Sequence, residues 1–88
     1  MGKRSNLEAV IYKLHSSDIR IGLQTFKGGI LIWIGDPSQR VRSETVFEDA
    51  SLATIDSDAS QWLHATALRL FPDSKYAVHH RRKSALLG

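Results

Sequence analysis

The chain has 88 residues, 42% of them hydrophobic and 24% charged, a balance that excludes a disordered segment and fits one small folded domain. It contains no cysteine, which excludes disulfides, iron–sulfur clusters, thiolate zinc sites and thiol catalysis. The formal charge of +3 belongs to the ends: residues 16–76 hold six lysines and arginines against eight aspartates and glutamates.

A chain this short with no staple has roughly 5 kcal/mol of stability available from its core, so dimerisation is a natural way to add buried area. No run of about 18 apolar residues is present, so no membrane span is expected. The opening MGKRSNLEAV lacks the continuous apolar run and small-residue cleavage site of a secretory signal, and the expected location is cytoplasmic. The expected organisation is a basic tail over 1–6, a single domain over 7–76 and a second basic tail over 77–88.

In SNLEAVIYKLH, residues Leu7, Val10, Ile11 and Leu14 fall at i, i+3, i+4 and i+7, one face of a helix that Ser5 or Asn6 can cap. The β-branched pair Val10-Ile11 followed by Tyr12 leaves a strand as the alternative. DIRIGLQTF then alternates, with Ile19, Ile21, Leu23 and Thr25 on one face and Arg20, Gly22, Gln24 and Phe26 on the other. Gly28-Gly29 reads as a two-residue hairpin loop, which places Thr25 opposite Ile32, Gln24 opposite Trp33 and Gly22 opposite Gly35. The second strand, ILIWIG, is apolar on both faces. DPSQ reads as a four-residue loop that sets Ile34 against Val41 and Trp33 against Arg42. The third strand, RVRSETVF, sends Val41, Ser43, Thr45 and Phe47 to the first face and Arg40, Arg42, Glu44 and Val46 to the second.

Residues 58–71 form the clearest helix, with Ala59, Trp62, Leu63, Thr66, Ala67, Leu70 and Phe71 as its apolar stripe. Asp58 and Gln61 resemble a capping box, and Pro72 stops the helix. KYAVHH reads as a short last strand or a loose tail. The fold class is therefore α+β: a two-layer sandwich with an N-terminal helix, a three-stranded antiparallel meander, and an amphipathic helix packed on one sheet face.

The functional question lies on the second sheet face, which gathers Arg20, Gln24, Phe26, Leu31, Trp33, Arg40 and Arg42 beside Glu44. One arrangement closes helix 7–15 or the C-terminal segment over Phe26, Leu31 and Trp33, with the arginine heads in water. The other leaves an open contact surface, of the Trp and Arg composition enriched at binding hot spots, with Trp33 and Arg42 stacked across strands. An open surface admits a protein partner, including a second copy that would make a homodimer. It also admits nucleic acid. A three-stranded sheet backed by one helix, with Arg and Trp on the bare face, is similar in layout to the arm-binding domains of phage integrases and to a plant family of sheet-based DNA-binding domains. The likeness is an element order over residues 18–71. It implies a sheet laid in a major groove, Arg20, Arg40 and Arg42 on phosphates or guanine edges, and basic tails adding nonspecific affinity. The acidic run Glu48, Asp49, Asp56 and Asp58 would then have to face away from the DNA.

No reading of the sequence supports catalysis, a cofactor or a metal. His79 and His80 are adjacent and would point to opposite sides of an extended segment, and His64 stands alone at the edge of its helix stripe. IDSDAS lacks the glycine and distal glutamate of a calcium loop, and neither FKGGI nor WIGDP makes a phosphate loop. The sequence is read as a non-enzymatic interaction or regulatory module that self-associates through the aromatic and arginine face, with a DNA- or RNA-binding protein as the alternative.

Overall fold

The hydrophobic spacings resolve into six elements: α1 (Asn6–His15), β1 (Arg20–Phe26), β2 (Gly29–Gly35), β3 (Arg42–Glu48), α2 (Leu52–Leu70) and α3 (Lys75–Leu87). The computed structural model describes residues 6–48 and 52–87, and the side-chain surroundings of 6–48 and 55–83. The basic residues 1–5, with Ser5 as a cap, and Asp49 of the acidic run lie outside the described residues. The architecture is α+β, a meander of order β1-β2-β3 with α1 on β1 and α2 on β2 and β3. Among the described residues, no helix is long and apolar enough to cross a membrane.

α1 is a helix because its 3.6-residue period outweighs the β-branched pair. Leu7 and Leu14 are buried while Val10 and Ile11 pack against the same cluster. The Leu7 N–H donates to Asp56 Oδ1 at 3.0 Å, so a carboxylate from α2 satisfies an orphan amide at the positive end of α1. The helix leaves through Asp18 at φ 62°, and the Ile19 N–H returns to the Leu14 carbonyl at 3.1 Å.

Both hairpins are antiparallel, but both registers sit two residues from expectation. Phe26 pairs with Gly29, Gln24 with Leu31 and Gly22 with Trp33, because the turn is Lys27-Gly28 with Gly28 at φ 96°. Across the second hairpin Gly35 pairs with Arg42, Trp33 with Glu44 and Leu31 with Val46. Its loop is Asp36–Val41, six residues rather than four. Asp36 organises it: the Asp36 N–H donates to the Val41 carbonyl at 3.0 Å, and its carboxylate accepts from Ser38 Oγ at 2.7 Å and the Val41 N–H at 3.2 Å. The Ser38 hydroxyl above all, with the Val41 amide, holds the Asp36 carboxyl below its ordinary value. Arg40 and Val41 therefore belong to the loop, and Val41 leaves the core face, where it had been expected. A shift of two residues keeps every other side chain on its own face.

The core is made by Ile30, Ile32 and Ile34 against Ile55, Ala59, Leu63 and Ala67, with Leu7, Leu14 and Ile19 closing one end. α2 begins six residues before the predicted start, so Asp58 and Gln61 lie within it and form no capping box. Its end, at Leu70, falls one residue before the expected 71, with Pro72 shortly beyond. The larger correction is α3. Residues 75–87 are helical, not strand or tail, with Ser74 as cap: its Oγ accepts the Ala77 N–H at 3.2 Å. Tyr76 and Ala77 are buried, and the Tyr76 hydroxyl lies 2.6 Å from His64 Nδ1.

His80 packs against both rings, 4.5 Å from the Tyr76 centroid and 4.5 Å from that of His64. Burial, then the charges of His64, His79, Lys13 and Lys83, lower its pKa from the ordinary 6.5. A depressed folded-state pKa contributes stability that is fully present above 6.5 and is lost as pH falls from there through the folded value. Melting temperature should therefore fall as the solution is acidified below neutrality, and His80→Gln should flatten that dependence. An equal slope in both proteins would count against it.

Candidate functional site

Side chains alternate across the meander, so its outer face is a grid of four rows. The first is Arg20–Gly35–Arg42, the second Gly22–Trp33–Glu44, the third Gln24–Leu31–Val46 and the fourth Phe26–Gly29–Glu48. Six of the seven residues predicted to form a partner surface stand on this face. Arg40 does not. It lies exposed in the Asp36–Val41 loop, at the end of the sheet that carries Arg20 and Arg42.

All three helices lie on the other side. α1 packs on α2 and β1, α2 on β2 and β3, and α3 on α2. The arrangement in which helix 7–15 or the C-terminal segment closes over Trp33 is therefore not adopted among the described residues. Phe26 and Val46 are 47% and 46% exposed, values that mark an uncovered apolar surface.

Leu31 and Trp33 are nonetheless half-buried. The register explains Trp33. The residue opposite it is Gly22, and the indole lies over that glycine, filling the space a Cβ would need. On its other side the Arg42 guanidinium sits 4.7 Å from the ring centroid, a cation–π contact made from the diagonal position rather than directly across the strands. Arg42 Nη2 also approaches Glu44 Oε1 at 3.9 Å, a solvent-exposed pair of little energetic weight. Trp33 thus lies flat between Gly22 and Arg42 and presents a broad, fixed surface.

The face is polarised along the strands. Arg20 and Arg42 stand at one end with Arg40 beyond them, Leu31, Trp33 and Val46 occupy the middle, and Phe26 and Glu48 stand at the other end. Glu48 was read from the sequence only as one of a run of acids. The alternation that put Arg42 and Glu44 on this face also puts Glu48 there, and that was the available signal. The Arg81-Arg82-Lys83 run belongs to α3, whose contacts are with α2 on the helical side.

No protein-family model, curated protein or solved structure matches the chain.

Proposed function

We propose that this domain is a non-enzymatic protein-interaction module that self-associates through the outer face of its sheet. The observation that carries the reading is the self-complementarity of the four rows. A twofold axis between two such faces, running across the strands, reverses the order of the rows and keeps each strand over its own copy. Arg42 then meets Glu48 of the second copy, Arg20 meets Phe26, and Trp33 meets Leu31. Each contact occurs twice, and two antiparallel sheets stacked in this aligned way sit about 10 Å apart. A core this small gains most from such a partner.

The polarity of the face favours this over nucleic acid. The basic end is matched by an acidic one, and the cations of α3 lie on the helical side, so that run and the sheet do not combine into one basic surface.

Sedimentation equilibrium tests the proposal, with iodide quenching of Trp33 in a Trp62→Phe background. The expected result is a dimer with protected Trp33, shifted toward monomer by Trp33→Ala. A monomer at every concentration overturns self-association. A monomer that binds duplex DNA with a steep salt dependence moves the face to nucleic acid. A dimer whose Trp33 stays fully quenchable assigns the contact to a strand edge and overturns the face.

A further inference from the structure

On the helical side, α1, α2 and α3 meet around Tyr76, and the charged side chains there are of one sign. Two adjoining clefts, of about 290 and 330 Å³, share Lys13, Tyr76 and His80 as their common wall. Ser16, Ser17, Lys75 and His79 complete the first, and His64 and Gln61 stand in the second. Neither lining includes a carboxylate. The floor is largely ring and methylene surface, since Tyr76, His80 and His64 stack edge to face or tilted.

We propose that this paired cleft binds a small phosphate-bearing molecule, with Lys13 and Lys75 holding the oxyanion and the Tyr76 and His80 rings receiving its apolar portion. The volume suits a ligand of a dozen or so heavy atoms, near the lower end of ordinary small-molecule sites of about 300–1,000 Å³.

The helix ends support an anion here. Lys75 and Tyr76 open α3, so its positive end borders the cleft. The last carbonyls of α1, at its negative end, are occupied by donors from its own turn. The Tyr12 carbonyl accepts from the Ser16 N–H and Oγ, that of Lys13 from Ser17 Oγ, that of Leu14 from the Ser17 and Ile19 amides, and that of His15 from the Asp18 amide. Among the described residues, no group of three or more carboxylate and imidazole side chains is arranged to hold a metal ion.

The groups facing His80 are Lys13 from α1, His64 from α2, and Tyr76, His79 and Lys83 from α3 itself. Every ionisable one among them except Tyr76 is basic, which disfavours its protonation. A bound phosphate reverses that local field, so binding should raise the His80 imidazole pKa toward and past its ordinary value.

The experiment is an NMR titration of the full chain with phenyl phosphate, with inorganic phosphate and phenol as comparison arms. The expected result is saturable shifts at Lys13, His64, Tyr76 and His80, a raised His80 pKa, and tighter binding of phenyl phosphate than of either comparison. Lys13→Gln and Lys75→Gln alter exposed side chains and leave the core intact, and each should weaken binding about tenfold. Three results overturn the proposal: no saturation, shifts confined to Arg81–Lys83, or affinity unchanged by both lysine variants. Trp33→Ala should bind the probe normally, so the cleft and the sheet face stand or fall separately.

Discussion

Gly22→Val should expel Trp33 from its place on the sheet and destabilise the domain by about 1–3 kcal/mol. Any Cβ at residue 22 lands within the indole, with Nε1 and Cε2 its nearest neighbours. The ring cannot retreat toward β3, where the Arg42 guanidinium covers it. It must rotate off the face, exposing its apolar surface and releasing Arg42. Valine gains roughly 1 kcal/mol of intrinsic strand preference over glycine, which offsets part of the cost and leaves the sign unchanged. In a Trp62→Phe background the Trp33 emission should move to the red and become fully quenchable, and urea unfolding should begin earlier. The proposed dimer should be lost with it, because the centre of the face no longer exists. Unchanged emission would mean that the indole does not lie on Gly22, and the description of the face would fail at its middle.

The face assignment was legible because parity is a property of the alternation alone. Ile30, Ile32 and Ile34 had to share one side, and Leu31 and Trp33 the other, whatever the register. Register depends instead on turn geometry, which the letters describe weakly. Gly28-Gly29 offers two adjacent positions that accept positive φ, and the chain uses only Gly28, moving the turn back by one residue and the pairing by two. The second loop was underestimated because Asp36 and Ser38 together build a six-residue closure that a count of turn residues does not reveal.

α3 was missed for a different reason. KYAVHHRRK presents only Tyr76, Ala77 and Val78 as a short apolar run, and its cations suggest solvent. Its anchor is one tyrosine inserted beside His64, a long-range contact with no periodic signature. That same omission hid the Lys13–Tyr76–His80 cleft, since His64 reads as a solitary histidine until α3 is placed beside it.

Arg42→Glu and Glu48→Arg should each dissociate the proposed dimer, and the two changes combined should restore it. In the proposed dimer the rows are reversed across the twofold axis and Arg42 of each copy faces Glu48 of the other, so either single change sets like charges opposite each other twice. Each should weaken association by at least about tenfold, and the double change returns opposite charges to both places. The fold of the single chain should be little affected, because Arg42 and Glu48 are solvent-exposed and the 3.9 Å pair of Arg42 with Glu44 is worth little. Loss of the Arg42 stack on Trp33 is common to Arg42→Glu and the double variant, so recovery of the double relative to Arg42→Glu isolates the contact between copies. Pairing through the β3 edge would bring Arg42 and Glu48 together in one of its registers, and Phe26→Ala separates the two geometries. Phe26 lies on β1, the strand farthest from that edge, and meets Arg20 of the second copy only when the faces stack. A dimer weakened by both Phe26→Ala and the single charge reversals is joined through the face. One that responds to the charge reversals alone is joined through the β3 edge, leaving Trp33 uncovered for another partner.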